Sequence, residues 1–279
     1  MIDPETNLFI YEIKKDLAVN PPDRPNSMIG IWNEDDFSYV FFSSPQDEYV
    51  EQLCGGDQSL LSGRHEMKYR DWQEGLPQTG LTIAGVTFVC GSTPRTNGNA
   101  IFLDPSVVFG DGNHPTTISC IEFLVDIMNT GKVKSVLDLG CGSGILALAS
   151  AQLGANKVVA VDKNRLAVQT TKNNISLNAF EQIIQIHEGE ARVFLSDQYD
   201  LVLANLPFAV LRDVCVLKNA EANGLWVVSG INSEQADILK TLFMEQGFIT
   251  TGEKITPPWV TFVAAQQKYW SGLFNETDS

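Results

Sequence analysis

The chain has 279 residues, 44% hydrophobic and 19% charged, which is enough apolar material for one large or two modest domains and excludes global disorder. Nineteen Lys and Arg against 34 Asp and Glu leave a formal charge of −15, which argues against direct nucleic-acid contact and is compatible with a basic protein partner. No apolar run approaches the ~18 residues of a membrane span, and Met1–Asn20 has no leader-like stretch, so neither membrane insertion nor secretion is expected.

In chain order, residues 1–95 read as a smaller α+β accessory or substrate-recognition region. Leu8–Ile13 and Tyr39–Phe42 read as strands, with a proline-rich loop at Asn20–Pro25 between them. Pro45–Leu53 reads as a short helix, and Gly80–Cys90 as a hairpin turning near Gly85. Residues 96–279 form the second expected unit, and from Lys134 its pattern is regular. Strands are predicted at Val136–Leu139, Lys157–Val161, Ile183–Ile186, Asp200–Ala204, Leu225–Val228, Phe248–Thr250 and Trp259–Ala264. Helices are predicted at Ile145–Leu153, Asn164–Asn178 (Val168, Thr171 and Ile175 inward), Ala209–Ala220 and Asn232–Gln246. The last carries Gln235, Ile238, Leu239, Leu242 and Phe243 on one face and a capping box at Asn232 and Gln235. Such alternation predicts an α/β fold, a mostly parallel sheet with helices on both faces. The tail Phe274–Ser279 reads as frayed. Five scattered cysteines (Cys54, Cys90, Cys120, Cys141 and Cys215) show no C-x-x-C spacing, so no disulfide framework and no metal site are expected, and a reducing, cytoplasmic compartment is.

The chemistry concentrates at the first strand-to-helix turn, Asp138-Leu139-Gly140-Cys141-Gly142-Ser143-Gly144. Glycines there let a ligand approach the backbone, and the following helix offers unpaired N–H groups to an anion. The next strand ends at Asp162, about twenty positions on, where a carboxylate can take both ribose hydroxyls of an adenosine. Dinucleotides and S-adenosylmethionine both use this arrangement. The dinucleotide spacing is G-x-G-x-x-G, whereas here Ile145 follows G-x-G-x-G, and Asp138 sits in a strand that dehydrogenases keep apolar. Without a ligand the glycines would be only a tight turn. The fourth strand ends at Asn205-Leu206-Pro207-Phe208, facing the same crevice. Asn205 either caps the following helix or, with a neighbouring backbone carbonyl, holds an amine with its lone pair toward the sulfonium; Phe208 could pack on the target.

The D-x-G-C-G-x-G run at Asp138–Gly144 resembles motif I of class I S-adenosylmethionine-dependent methyltransferases. Asn205–Phe208 resembles the N-P-P-[FYW] motif of nitrogen-directed members, with Leu206 for the first proline. Residues 103–117, LDPSVVFGDGNHPTT, resemble the L-D-P-x-x-A-F-G-T-G-x-H-P-T-T segment of the PrmA family, methyltransferases of protein eleven of the large ribosomal subunit. Further matches are Tyr69–Gln73 and Val228–Ile231. The resemblance implies a Rossmann-like sheet of seven strands and S-adenosyl-L-methionine as cofactor. Phe109, Thr117, Asp138, Gly140, Gly142, Gly144, Asp162 and Asn205 would line the cofactor, and Glu190 or Ala191 would lie near adenine, with Glu188 a competitor. Asn205, Leu206, Pro207 and Phe208 would form the catalytic loop, acting on a lysine or N-terminal amine of a basic protein, a ribosomal protein being the candidate. Two departures stand out: the family's T-G-T is Asp111-Gly112-Asn113, and residues 1–68 do not match its recognition domain. The alternatives are an N-methyltransferase of another protein or a small molecule, a non-catalytic cofactor-binding module and, more remotely, a dehydrogenase.

Overall fold

The computed structural model describes residues 2–3, 5–21, 23–34, 36–72, 80–90, 99–108, 110, 112–215 and 224–266. Phe109, Asp111, Gln73, the final residues of the helix expected over Ala209–Ala220 and the tail from Phe274 lie outside these.

The Val-, Leu- and Ala-rich runs of the second half become a single seven-stranded sheet. Its strands are β8 (Ser135–Leu139), β9 (Lys157–Asp162), β10 (Ile184–Glu188), β11 (Leu201–Asn205), β12 (Leu225–Asn232), β13 (Phe248–Thr256) and β14 (Trp259–Gln266), in the order β10-β9-β8-β11-β12-β14-β13. β8 to β12 pair in parallel, while β14 enters antiparallel between β12 and β13. The central strands are buried on both faces, as near-continuous apolar runs must be. Helices α3 (Pro115–Met128), α4 (Ile145–Gln152) and α5 (Arg165–Leu177) belong to one layer, α6 (Phe208–Cys215) and α7 (Ser233–Glu245) to the other.

The expected capping box of α7 is present, but its buried face is turned. Ala236, Leu239 and Phe243 are buried, while Ile238 is 49% exposed and Gln235 and Leu242 only half-buried. The small Ala236 lets the helix close on the sheet, where Phe243 meets Trp226, Phe248 and Phe262 edge-on. On α5, Val168 is likewise only half-buried; the inward residues are Ala167, Thr170, Thr171, Asn174, Ile175 and Leu177.

The N-terminal region forms its own antiparallel sheet, β2-β3-β1-β4, from β1 (Asn7–Ile13), β2 (Met28–Glu34), β3 (Phe37–Phe42) and β4 (Leu61–Lys68), with helices α1 (Asp47–Leu53) and α2 (Tyr69–Trp72). β2 and β4 were not expected from the sequence. β4 is a largely exposed edge strand whose only hydrophobic residue beyond its first is Met67, so neither composition nor alternation marks it. The hairpin β5 (Leu81–Ile83) and β6 (Val86–Cys90) turns through Ala84 (φ 47) and Gly85 (φ 88), both left-handed, as a two-residue hairpin requires. It adds β7 (Ile101–Leu103) in parallel, and Ile83, Val86, Phe88, Ile101 and Leu103 share the core of α3 and α4.

Candidate active site

The order of the large sheet reverses between β8 and β11, and the crevice for a ligand lies beyond the carboxyl ends of these strands. Gly140, Gly142 and Gly144 all have positive φ (68°, 56° and 83°). The turn is tied down on every side. The Gly140 and Cys141 N–H groups donate to Val161 O (2.8 and 3.0 Å), and Thr171 Oγ1 on α5 donates to Gly142 O (2.9 Å). Ser143 Oγ donates to Gly110 O (2.6 Å). A Cβ at Gly140 would overlap Leu206 Cδ2, so the loops after β8 and β11 touch across the switch point only because the residue is glycine.

Asp138 is 1% exposed and accepts from Ala147 N–H in the first turn of α4 (3.1 Å). Burial pushes its carboxyl up to about 7, and the charge of Asp162 adds to the rise. Its carboxyl therefore holds the helix against the strand from beneath the turn. Asp162, at the tip of β9, is half-buried; Oδ2 accepts from Gly142 N–H (3.1 Å) and Oδ1 from Asn164 N–H (2.8 Å). Burial raises its pKa, and these two backbone donors oppose the rise. Each oxygen keeps a lone pair beyond those bonds. Gly189 N–H donates to Asp162 O (2.9 Å), which brings the exposed Glu190, the half-buried Ala191 and the exposed Glu188 to the same end of the sheet.

The N-terminal region docks on this side of the crevice. Asn164 Nδ2 donates to Ile31 O (2.9 Å), and Asn20 bonds to Lys163 O (3.2 Å), Arg165 N–H (3.3 Å) and Glu188 Oε1 (3.4 Å). Leu166 packs among Leu8, Ile10, Phe41 and Val107, and Tyr69 OH donates to the buried Asp104 (2.7 Å).

Across the crevice, Asn205 ends β11 opposite Ser229 of β12. Its Nδ2 donates to Thr116 Oγ1 (3.1 Å) in the first turn of α3, whose N-cap is His114. Leu206 N–H donates to Ser229 O (3.2 Å), and β12 bulges between Val228 and Ile231. Gly230 (φ 86) lies so close that a Cβ would stand 2.6 Å from the Leu206 carbonyl oxygen. Pro207 is exposed and Phe208, the first residue of α6, half-buried. Thr117 is 1% exposed, and its Oγ1 has no hydrogen-bond partner, an uncommon state for a buried hydroxyl.

Gly140, Gly142, Gly144, Asp162, Glu190, Asn205 and Leu206 are thus gathered at the carboxyl end of one sheet, with Thr117 beside Thr116, the partner of Asn205. Phe109 lies outside the described residues. Sequence reasoning missed Thr116, Asn174 and Gly230. Asn174 is fully buried and bonds Asp104 N–H (2.9 Å), Asp104 O (2.9 Å) and Ser143 O (2.8 Å), clasping the segment before α3 to the glycine turn. Asn178 does the same for Phe102. The available signal was the polar Thr171-x-x-Asn174-x-x-x-Asn178 spacing, which repeats on one helix face. Among the described residues no group of three or more His, Cys, Asp or Glu could hold a metal ion, and no helix is long and apolar enough to cross a membrane.

The model of the PrmA family, described as ribosomal protein L11 methyltransferase, matches residues 59–267, from just before β4 to the end of β14. A ribosomal protein L11 methyltransferase of Exiguobacterium sp. is 33% identical over 178 residues, covering 62% of this chain and 55% of the relative. One of Dictyoglomus turgidum is 35% identical over 169 residues, covering 60% and 55%. The chain thus spans about half the length of the curated relatives it matches. A ribosomal protein L11 methylase structure from Lactobacillus delbrueckii subsp. bulgaricus superposes with a TM-score of 0.57 at 24% identity, covering 65% of this chain and 94% of that one. That likeness assigns the fold: a class I methyltransferase sheet with an additional N-terminal sheet.

Proposed function

The chain belongs to the PrmA family of ribosomal protein L11 methyltransferases, and from that premise we propose that it is an S-adenosylmethionine-dependent N-methyltransferase acting on a lysine or N-terminal amine of a ribosomal protein. The observation that carries this reading is the meeting of two loops at the switch point. The Gly140–Gly144 turn, with Asp162 bonded to its Gly142 N–H, meets the end of β11 at Gly140, where the side chain of Leu206, next to Asn205, leaves no room for a Cβ.

The residues present fit the cofactor. The open turn and the N-terminus of α4 suit an amino-acid carboxylate. The carboxyl of Asp162 retains lone pairs for ribose hydroxyls, and the orphaned Thr117 hydroxyl awaits a polar partner. Phe109 and Glu190 are proposed cofactor contacts on the family resemblance, Glu190 near adenine. When bound, S-adenosylmethionine supplies a methyl group made electrophilic by its sulfonium. The protein's work is then alignment. Asn205 Oδ1 and the Leu206 carbonyl accept hydrogens of the incoming neutral amine and aim its lone pair, and Pro207 stiffens the loop beside Phe208. Asp138 contributes by seating α4. Residues 1–95 are proposed as the accessory region, attached beside Asp162, and 96–279 as the methyltransferase unit in a cytoplasmic setting. β1 to β3 fall outside the family match, which favours a second reading in which the acceptor is another basic protein.

The test is incubation with methyl-labelled cofactor and purified L11, then with lysate proteins, the labelled residue being located by mass spectrometry. Label on a lysine or N-terminus of L11 is expected; label only on another protein favours the second reading, and label only in small molecules refutes both. Asp162→Ala should weaken cofactor binding in calorimetry by about 1.5–3 kcal/mol, roughly 10- to 150-fold. Binding of NAD in place of S-adenosylmethionine would refute the cofactor assignment.

A further inference from the structure

We propose that His114 and Thr116 are positioning residues that fix which face of the Asn205 amide is presented to the crevice. Thr116 Oγ1 lies 3.1 Å from Asn205 Nδ2 and 2.7 Å from His114 Nδ1, and Thr116 N–H lies 3.3 Å from the same Nδ1. Thr116 is 1% exposed.

Donor counting sets the direction. A nitrogen that accepts from a backbone N–H carries no proton, so Nδ1 cannot donate to Oγ1. The hydroxyl of Thr116 must therefore donate to Nδ1, which leaves its oxygen to accept from a donor, the Asn205 NH2 group. The chain runs from Asn205 Nδ2 to Thr116 Oγ1 to His114 Nδ1. The imidazole is the tautomer protonated on Nε2, and its plane is held edge-on by Trp259, with centroids 5.1 Å apart. A flipped amide would set two acceptors, Asn205 Oδ1 and Thr116 Oγ1, against each other unless the hydroxyl abandoned His114. The relay thus keeps Oδ1 away from Thr116 and available to an amine.

Capping of α3 by itself needs only the bond from Thr116 N–H to His114, which a valine at 116 retains. The hydroxyl is what couples the cap to Asn205. The effect on turnover rests on the proposed methyltransferase reading; the amide orientation does not.

The experiment compares the full-length chain with Thr116→Val and Thr116→Ser. Nitrogen-15 NMR reads the protonation of His114 Nδ1 and the hydrogen exchange of the Asn205 side-chain amide, assigned by its loss in Asn205→Asp. Calorimetry reads affinity for S-adenosylhomocysteine, and steady-state assays read kcat and KM. The expected results are an unprotonated, accepting Nδ1 and a slowly exchanging Asn205 amide in the parent. In Thr116→Val the amide should lose its protection and kcat should fall on the order of tenfold or more, with cofactor affinity held within about twofold, as misalignment rather than lost binding predicts. Thr116→Ser should recover most of both losses. A protonated Nδ1 in the parent, or unchanged amide exchange in Thr116→Val, overturns the relay. Altered exchange with parental kcat overturns the positioning role. A parent that binds no cofactor and transfers no methyl group defeats the functional reading instead, and the NMR outcomes still decide the orientation.

Discussion

Replacing Asn174 by alanine strips three hydrogen bonds from one fully buried site. Its Nδ2 donates to Asp104 O and Ser143 O, and its Oδ1 accepts from Asp104 N–H, all within 2.8–2.9 Å. Truncation leaves one backbone N–H and two carbonyls without this partner, each costing about 1–3 kcal/mol if unmet. Water entering the vacated space can offset part of that, and alanine's better helix propensity returns about 0.5 kcal/mol. The expected net loss is about 3–5 kcal/mol, a large share of a typical domain's 5–15 kcal/mol. Urea unfolding should show a lower midpoint at an unchanged slope. Because Asn174 bonds Ser143 O and Asp104, cofactor affinity should fall as well. A loss below about 1 kcal/mol would show that the three bonds contribute little beyond what water supplies.

Two further outcomes are expected. Burial raises Asp138 from 3.8 to about 7, so between those values the native chain holds a proton that the unfolded chain has released. The stability this contributes is complete below the lower value and is lost as pH rises through the upper one. Asp138→Asn keeps an acceptor for Ala147 N–H without titrating, so its stability should gain on the parent's across that window in denaturation at several pH values; a constant difference would refute the assignment. Gly230→Ala places a Cβ 2.6 Å from the Leu206 carbonyl oxygen at a backbone φ of 86°. It should displace that carbonyl and lower kcat on the order of a hundredfold, with little change in cofactor affinity; parental kcat would mean the carbonyl does not guide the acceptor.

The local geometry of the candidate site was legible in the residues alone. A strand followed by G-x-G-x-G and a helix, with Asp162 ending the next strand, is a contiguous pattern whose spacing is set by backbone geometry. The inner strands of the large sheet were visible because both their faces are apolar, whereas of the largely exposed edge strand β13 only Phe248–Thr250 was expected. The capping box of α7 was visible because both members lie within four residues. What the tertiary structure decided are the contacts between distant segments. Thr171 was expected to face inward, and does; Asn174 and Asn178 on the same face were not, and they are turned inward because Asp104, Phe102 and Ser143 present backbone groups that need partners. Gly230, in the bulge of β12, is demanded by the backbone of Leu206 some 24 positions earlier, and Thr116 by Asn205, 89 positions away. The buried face of α7 followed Ala236 rather than Ile238, since closeness to the sheet depends on a small side chain at the contact. Periodicity reports which residues share a face; what that face meets is set by which chain segments the fold brings against it, and hydrogen-bond demand and van der Waals distance then select among polar, small and large side chains.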